Sequence, residues 1–175
     1  MTRRLPRWAT LLLAAPLAAL PGGAHEHGVA TLDIAVDARQ IVVQFQTPLD
    51  NLVGFERAPR TDSERQRVDE AIARLKDGDA LFRFDPAAGC KLARARLDSP
   101  ALGLGGQGSA PAQGAHAELQ ASWEFACTDA TRAVHVDVGL FAFNQLKRVQ
   151  VQLALPKGQA KRELKRPNGR LLLAP

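Results

Sequence analysis

The chain alternates apolar and polar residues in short runs. "VATLDIAV" (29–36) and "QIVVQFQT" (40–47) both have period two, the pattern of strands with one buried face. Asp37 and Ala38 turn the chain between them, so the two runs predict a hairpin. Pro48 cannot donate to a ladder and ends it. The same reading predicts strands at "ALFRFD" (80–85), "CKLARARL" (90–97), "ELQASWEFAC" (118–127), "AVHVDVGLF" (133–141) and "VQVQLALP" (149–156). A last short strand follows a turn at Pro167, Asn168 and Gly169. In 118–127, Leu119, Ala121, Trp123 and Phe125 share one face.

Helical spacing is clear in one place, residues 61–78. Thr61, Asp62 or Ser63 can cap its start, and Val68, Ala71, Ile72 and Leu75 fall on one side. Lys76 lies in the last turn and Gly78 is read as the stop. Residues 49–59 predict at most a short helical turn ending near Gly54. About eight strands and one good helix, without strand–helix alternation, predict an α+β fold. Its expected form is a mainly antiparallel sheet, or two packed sheets, with the amphipathic helix on one side. Residues 98–117, with five glycines and one charge, cannot bury enough surface to fix their backbone and predict a flexible loop.

The first 24 residues are patterned differently. Arg3, Arg4 and Arg7 precede an apolar run at 8–20, and Gly22 and Ala24 offer small residues at positions −3 and −1 of a cut. That is a signal peptide, too short and too proline-interrupted for a membrane span. Cleavage after Ala24 leaves residues 25–175, expected as a single β-rich domain in the periplasm without stable membrane insertion. The leader carries three arginines and no acid, so the chain's +5 falls to +2 without it. Basic residues are scattered and tyrosine is absent, which argues against nucleic acid as a partner. In an exported chain the only two cysteines, Cys90 and Cys127, read as one intrachain disulfide. It should stabilise the fold by about 3–4 kcal/mol.

Two of the four histidines, His25 and His27, open the mature chain. In an extended segment they lie on the same side, so both imidazoles can meet one ion. Imidazole suits zinc, copper or nickel. Two arrangements fit. In one, zinc takes both rings and one or two further ligands, with His116 or Glu56 as donors. In the other, the terminal amine, two backbone amides and His27 make a square-planar copper or nickel chelate. His135 has the parity of Asp137 and belongs on the solvent face of a strand. Motifs for acyl or phosphoryl transfer are missing, so no enzyme is expected. The one enzymatic alternative is copper oxygenation, with His25 paired to His116 or His135.

"HEHGVATLDIAVD" (25–37), "TPLDNLVGFERAP" (47–59), "LKDGDALFRFDPAAGCKL" (75–92), "FAC" (125–127) and "VDVGLF" (136–141) resemble the DUF2796 family, the zinc-regulated or ZrgA-like exported proteins. The likeness spans nearly the whole mature chain and includes both cysteines. It implies a periplasmic zinc-binding accessory protein that assists a zinc-uptake ABC transporter, with His25 and His27 as ligands. Two positions depart from the family pattern. Residues 98–117 hold one histidine, His116, where relatives are dense in His, Asp and Glu, and Arg57 stands where they often carry histidine. A single site around the terminus is therefore the expectation. The alternatives are a metal-independent scaffold that binds a partner, or the terminal copper or nickel chelate.

Overall fold

Strand β1 (Val29–Asp37) buries Ala30, Leu32 and Ile34 and leaves Thr31, Asp33 and Ala35 outside. Its hairpin partner β2 (Gln40–Pro48) sets Phe45, Val43 and Ile41 opposite Leu32, Ile34 and Val36. These positions come from a computed structural model, which describes residues 26–105 and 117–174. The leader, His25 and His116 lie outside the described residues.

The hairpin is the middle of a six-stranded sheet. β5 (Glu118–Ala126) joins β2 antiparallel, and β4 (Lys91–Asp98) joins β5. On the other side β7 (Arg148–Leu155) runs parallel to β1, and β8 (Gly158–Lys165) returns along β7. The order is β4-β5-β2-β1-β7-β8. A second sheet holds three short strands, β3 (Phe82–Phe84), β6 (His135–Val138) and β9 (Arg170–Leu172), with β6 central. Helices α1 (Asp50–Val53), α2 (Asp62–Lys76) and α3 (Gly78–Leu81) complete the expected α+β architecture.

Apolar burial joins the layers. Leu119, Ala121, Trp123 and Phe125 all point into the core, as their shared parity predicts. Phe82 stacks at 4.9 Å from Trp123, and Phe84 lies edge-on to Phe125 at 5.0 Å, so the small sheet packs on the large one. Thr61 caps α2 through the Glu64 N–H, and Val68, Ala71 and Leu75 face inward. Trp123 Nε1 donates to Leu75 O at 2.7 Å, which ties the end of α2 to the sheet. Cys90 and Cys127 form the expected disulfide, between the start of β4 and the end of β5.

Several local expectations change. Gly78 is not the helix stop; Asp77 ends α2 and its carboxylate caps α3, so β3 begins at Phe82 rather than Ala80. Glycine at 78 answers to crowding instead, since a Cβ there would lie 2.8 Å from both Leu92 and Trp123. The strand expected over 133–141 is only four residues long, because Gly139–Ala142 close into a 3₁₀ turn. β8 escapes the alternation pattern: it is a charged edge strand, whose free backbone edge is guarded by Lys161, Arg162 and Lys165. Within the mainly antiparallel arrangement, the β1–β7 pair is parallel. The start of the 98–117 segment is a defined turn: Ser99 bridges Leu104 and donates its hydroxyl to Glu118 O at 2.8 Å. Residues 106–116 lie outside the described residues.

Candidate metal centre

β1 is entered through a tight turn rather than an extended segment. The Val29 N–H donates to Glu26 O at 3.1 Å, and Gly28 sits at φ +83°, a conformation natural to glycine. The entry expected to be extended at His27 is thus a turn, and the expected pairing with His25 lies outside the described residues. The turn instead swings His27 toward α1. Its Nδ1 contacts Asp50 Oδ2 directly and lies 3.9 Å from Glu56 Oε1.

The two acids reach this corner by a short path. Pro48 ends β2, Leu49 buries itself, and Asp50 opens α1. Gly54 caps α1 at φ +86° and reverses the chain, which brings Glu56 back past Asp50. Between them Asn51, 1% exposed, ties the corner together. It accepts from the Gly28 N–H at 2.6 Å and donates to Val29 O and Thr47 Oγ1, both at 2.9 Å. Arg148 reaches Glu26 from outside at 2.6 Å.

One donor atom each from His27, Asp50 and Glu56 lies within 4.8 Å of the others. The imidazole is 65% exposed; the carboxylates beneath it are 17% and 20% exposed. The Asp50 hydrogen bond, and then its charge, raise the His27 pKa above the usual value, with Glu56 adding to the effect. The two carboxylates thus favour positive charge at the position a cation would take. Asp50 Oδ1 is buried and has no hydrogen-bond partner among the described residues. A buried carboxylate oxygen without a donor carries a desolvation cost that a bound cation removes. Arg57, next to Glu56 in the chain, is engaged elsewhere: it grips Glu64 with two bonds of 2.7 and 2.8 Å and stacks on Phe55. These bonds, with the Arg60 N–H, lower the Glu64 pKa to about 2.

Of the candidate ligands, His27 and Glu56 meet in this cluster. His25 and His116 lie outside the described residues. His135 does not join it; on β6 it faces Asp85 at 3.5 Å. Asp50 is the donor that sequence reasoning missed. Its signal was an acid six residues before Glu56, across the Gly54 reversal. One nitrogen and two oxygens, without a thiolate, suit a borderline divalent ion such as zinc. Donors around zinc stand about 3.3 Å apart, given bonds of about 2.0–2.1 Å in a tetrahedron, so small adjustments would close the set. A terminal copper chelate would need Nδ1 of His27, the ring nitrogen nearer the backbone, and here Nδ1 faces Asp50.

Among the described residues no helix is long and apolar enough to cross a membrane. A family model described as "ZrgA family zinc uptake protein" matches residues 24–173. Comparison with curated proteins finds no match.

Proposed function

The chain belongs to the ZrgA family of zinc uptake proteins, and from that premise we propose that it is a periplasmic accessory protein that captures zinc through His27, Asp50 and Glu56 for an ABC transporter. One observation carries the reading: an exposed imidazole converges on two partly buried carboxylates, and Asp50 Oδ1 lacks a hydrogen bond among the described residues. Zinc is cargo here, not a resident cofactor. His27 would give up its proton and supply the nitrogen, and the two carboxylates would supply oxygens and neutralise the ion. His25, next to Glu26, is the first choice for a further donor. With one histidine in residues 98–117, the expected stoichiometry is a single ion.

Export is supported by the leader pattern, which the family match leaves almost wholly outside, and by the Cys90–Cys127 disulfide, a bond of oxidising compartments. The family is one of uptake proteins rather than enzymes. The test is calorimetric titration of untagged protein beginning at His25 with zinc. One saturable site tighter than about 10 µM is expected, and it should vanish when His27→Ala and Asp50→Asn are combined. Absence of such a site in the unaltered protein would remove the reading. Pull-down of the transporter's solute-binding component, stronger with zinc than with chelator, tests the handover.

A further inference from the structure

The corner that carries His27 is backed by a segment with little regular structure, residues 141–147. Its shape is set largely from one side chain. Arg166 Nη2 donates to Phe141 O at 2.5 Å and to Phe143 O at 2.9 Å, and its Nε donates to Leu146 O at 3.2 Å. The same guanidinium lies 5.9 Å from the Phe141 ring centre. The Arg166 backbone N–H donates to Lys147 O at 3.0 Å. Four carbonyls of one short stretch therefore converge on one residue.

The far end of this stretch grips the metal corner. The N–H groups of Lys147 and Arg148 both donate to Gly28 O, at 2.8 and 2.9 Å. Gly28 directly follows His27 and is held from the other side by Asn51. Gln145 fills the space beside Gly54, where an added Cβ would lie 2.9 Å from its Nε2. An added Cβ at Gly28 would meet Lys147 at 3.1 Å. The stretch thus touches the two glycines that set the donors, Gly28 beside His27 and Gly54 between Asp50 and Glu56.

We propose that Arg166 is a positioning residue for zinc, acting through residues 141–147 on the spacing between His27 and its two carboxylates. The inference rests on reading the corner as a zinc site. Metal bonds tolerate deviations of only about 0.2 Å, so a segment braced against both donor-bearing turns controls affinity without touching the ion. Arginine is required because its planar fork presents several N–H groups at fixed angles, where the lysine ammonium is a single point.

Arg166→Met should bind zinc about tenfold more weakly, at the low end for partners that orient ligands. Its cobalt(II) derivative should show an altered d–d spectrum, and amide exchange at Gly28 should accelerate. Arg166→Lys keeps the charge, loses the fork and should behave the same way, which provides a second variant if the methionine form does not fold. Phe125→Leu, at the opposite end of the β2–β5 ladder, should lower stability and leave zinc affinity unchanged. The proposal is overturned if both Arg166 variants bind zinc as the unaltered protein does, or if Phe125→Leu loses as much affinity. Faster Gly28 exchange with unchanged zinc affinity also removes it, and leaves the zinc reading standing. Unaltered protein that binds no zinc removes the zinc reading and this role with it.

Discussion

The β1–β2 hairpin has two ends, and they are built on opposite principles. At its closed end the Ala38–Arg39 turn is held by backbone and covalent bonds. Cys127 N–H donates to Arg39 O, Ala130 N–H to Ala38 O, and the disulfide fixes the strand beside them. At its open end the chain is held by polar side chains: Asn51 across the turn, Arg148 on Glu26, and a histidine against two acids. The closed end is satisfied as it stands. The open end concentrates negative charge and keeps a buried oxygen without a donor among the described residues. A fold seeking stability alone would not place Asp50 and Glu56 under one imidazole. The contrast supports the proposed cation site at the open end and sets the structural reinforcement at the closed one.

The sharpest way to break this division is to remove the staple. Cys90→Ala with Cys127→Ala opens a loop of 37 residues' separation and should cost about 4 kcal/mol of stability by the chain-entropy estimate. Urea denaturation measures that loss, and zinc affinity at 25 °C should be unchanged. Altered affinity would mean that the two ends are coupled.

The reverse cut comes next in size. Asp50→Ala removes a donor outright, which should cost more than the ten- to hundredfold typical of an outer-shell partner, so at least about 100-fold in zinc affinity. The melting temperature without metal should hold or rise, since a buried carboxylate oxygen lacking a donor has gone. A clear fall would make Asp50 a structural residue instead.

Asn51→Ala should straddle the division. It strands the Gly28 N–H and Val29 O in a buried corner, so a loss of about 2 kcal/mol is expected, with about tenfold weaker zinc binding because the turn carrying His27 loosens. Thermal melts and zinc titration of one preparation read both.

The two ends also differed in how far the sequence disclosed them. Alternation alone located β1, β2 and β5 and the buried side of each, because a half-buried strand must write its burial into every second residue. Two cysteines in an exported chain were enough for the disulfide. His27 and Glu56 were visible as donors by residue type. Asp50 was not, because its partner His27 is 23 residues away and only the Gly28 turn and the Gly54 reversal bring them together. Asn51 was hidden for the same reason, as its three partners lie on two other segments. β8 was missed because an edge strand with one buried residue, Leu164, and one half-buried, Ala160, has too little alternation to read, and the parallel β1–β7 pairing is a choice of long-range topology that local pattern does not encode.

The smallest effect concerns the clamp beside the open end. Glu64 has its pKa lowered to about 2 from 4.5, chiefly by the Arg57 side chain and then by the Arg60 N–H. A carboxylate whose folded pKa is depressed contributes stability above its unfolded value, and that contribution fades as pH falls from 4.5 toward 2. Glu64→Gln should therefore be less stable than the unaltered protein at pH 7, and the difference should shrink through that acid window. Urea midpoints at pH 7, 4 and 2.5 follow it. The same variant frees Arg57 from its bidentate partner, next to Glu56 in the chain. A guanidinium released there competes with the cation for carboxylate oxygens, so zinc affinity should fall modestly although no donor has been removed. An affinity that rises instead would mean that Arg57 already weakens the centre in the native chain, and that its bond to Glu64 does not hold it away.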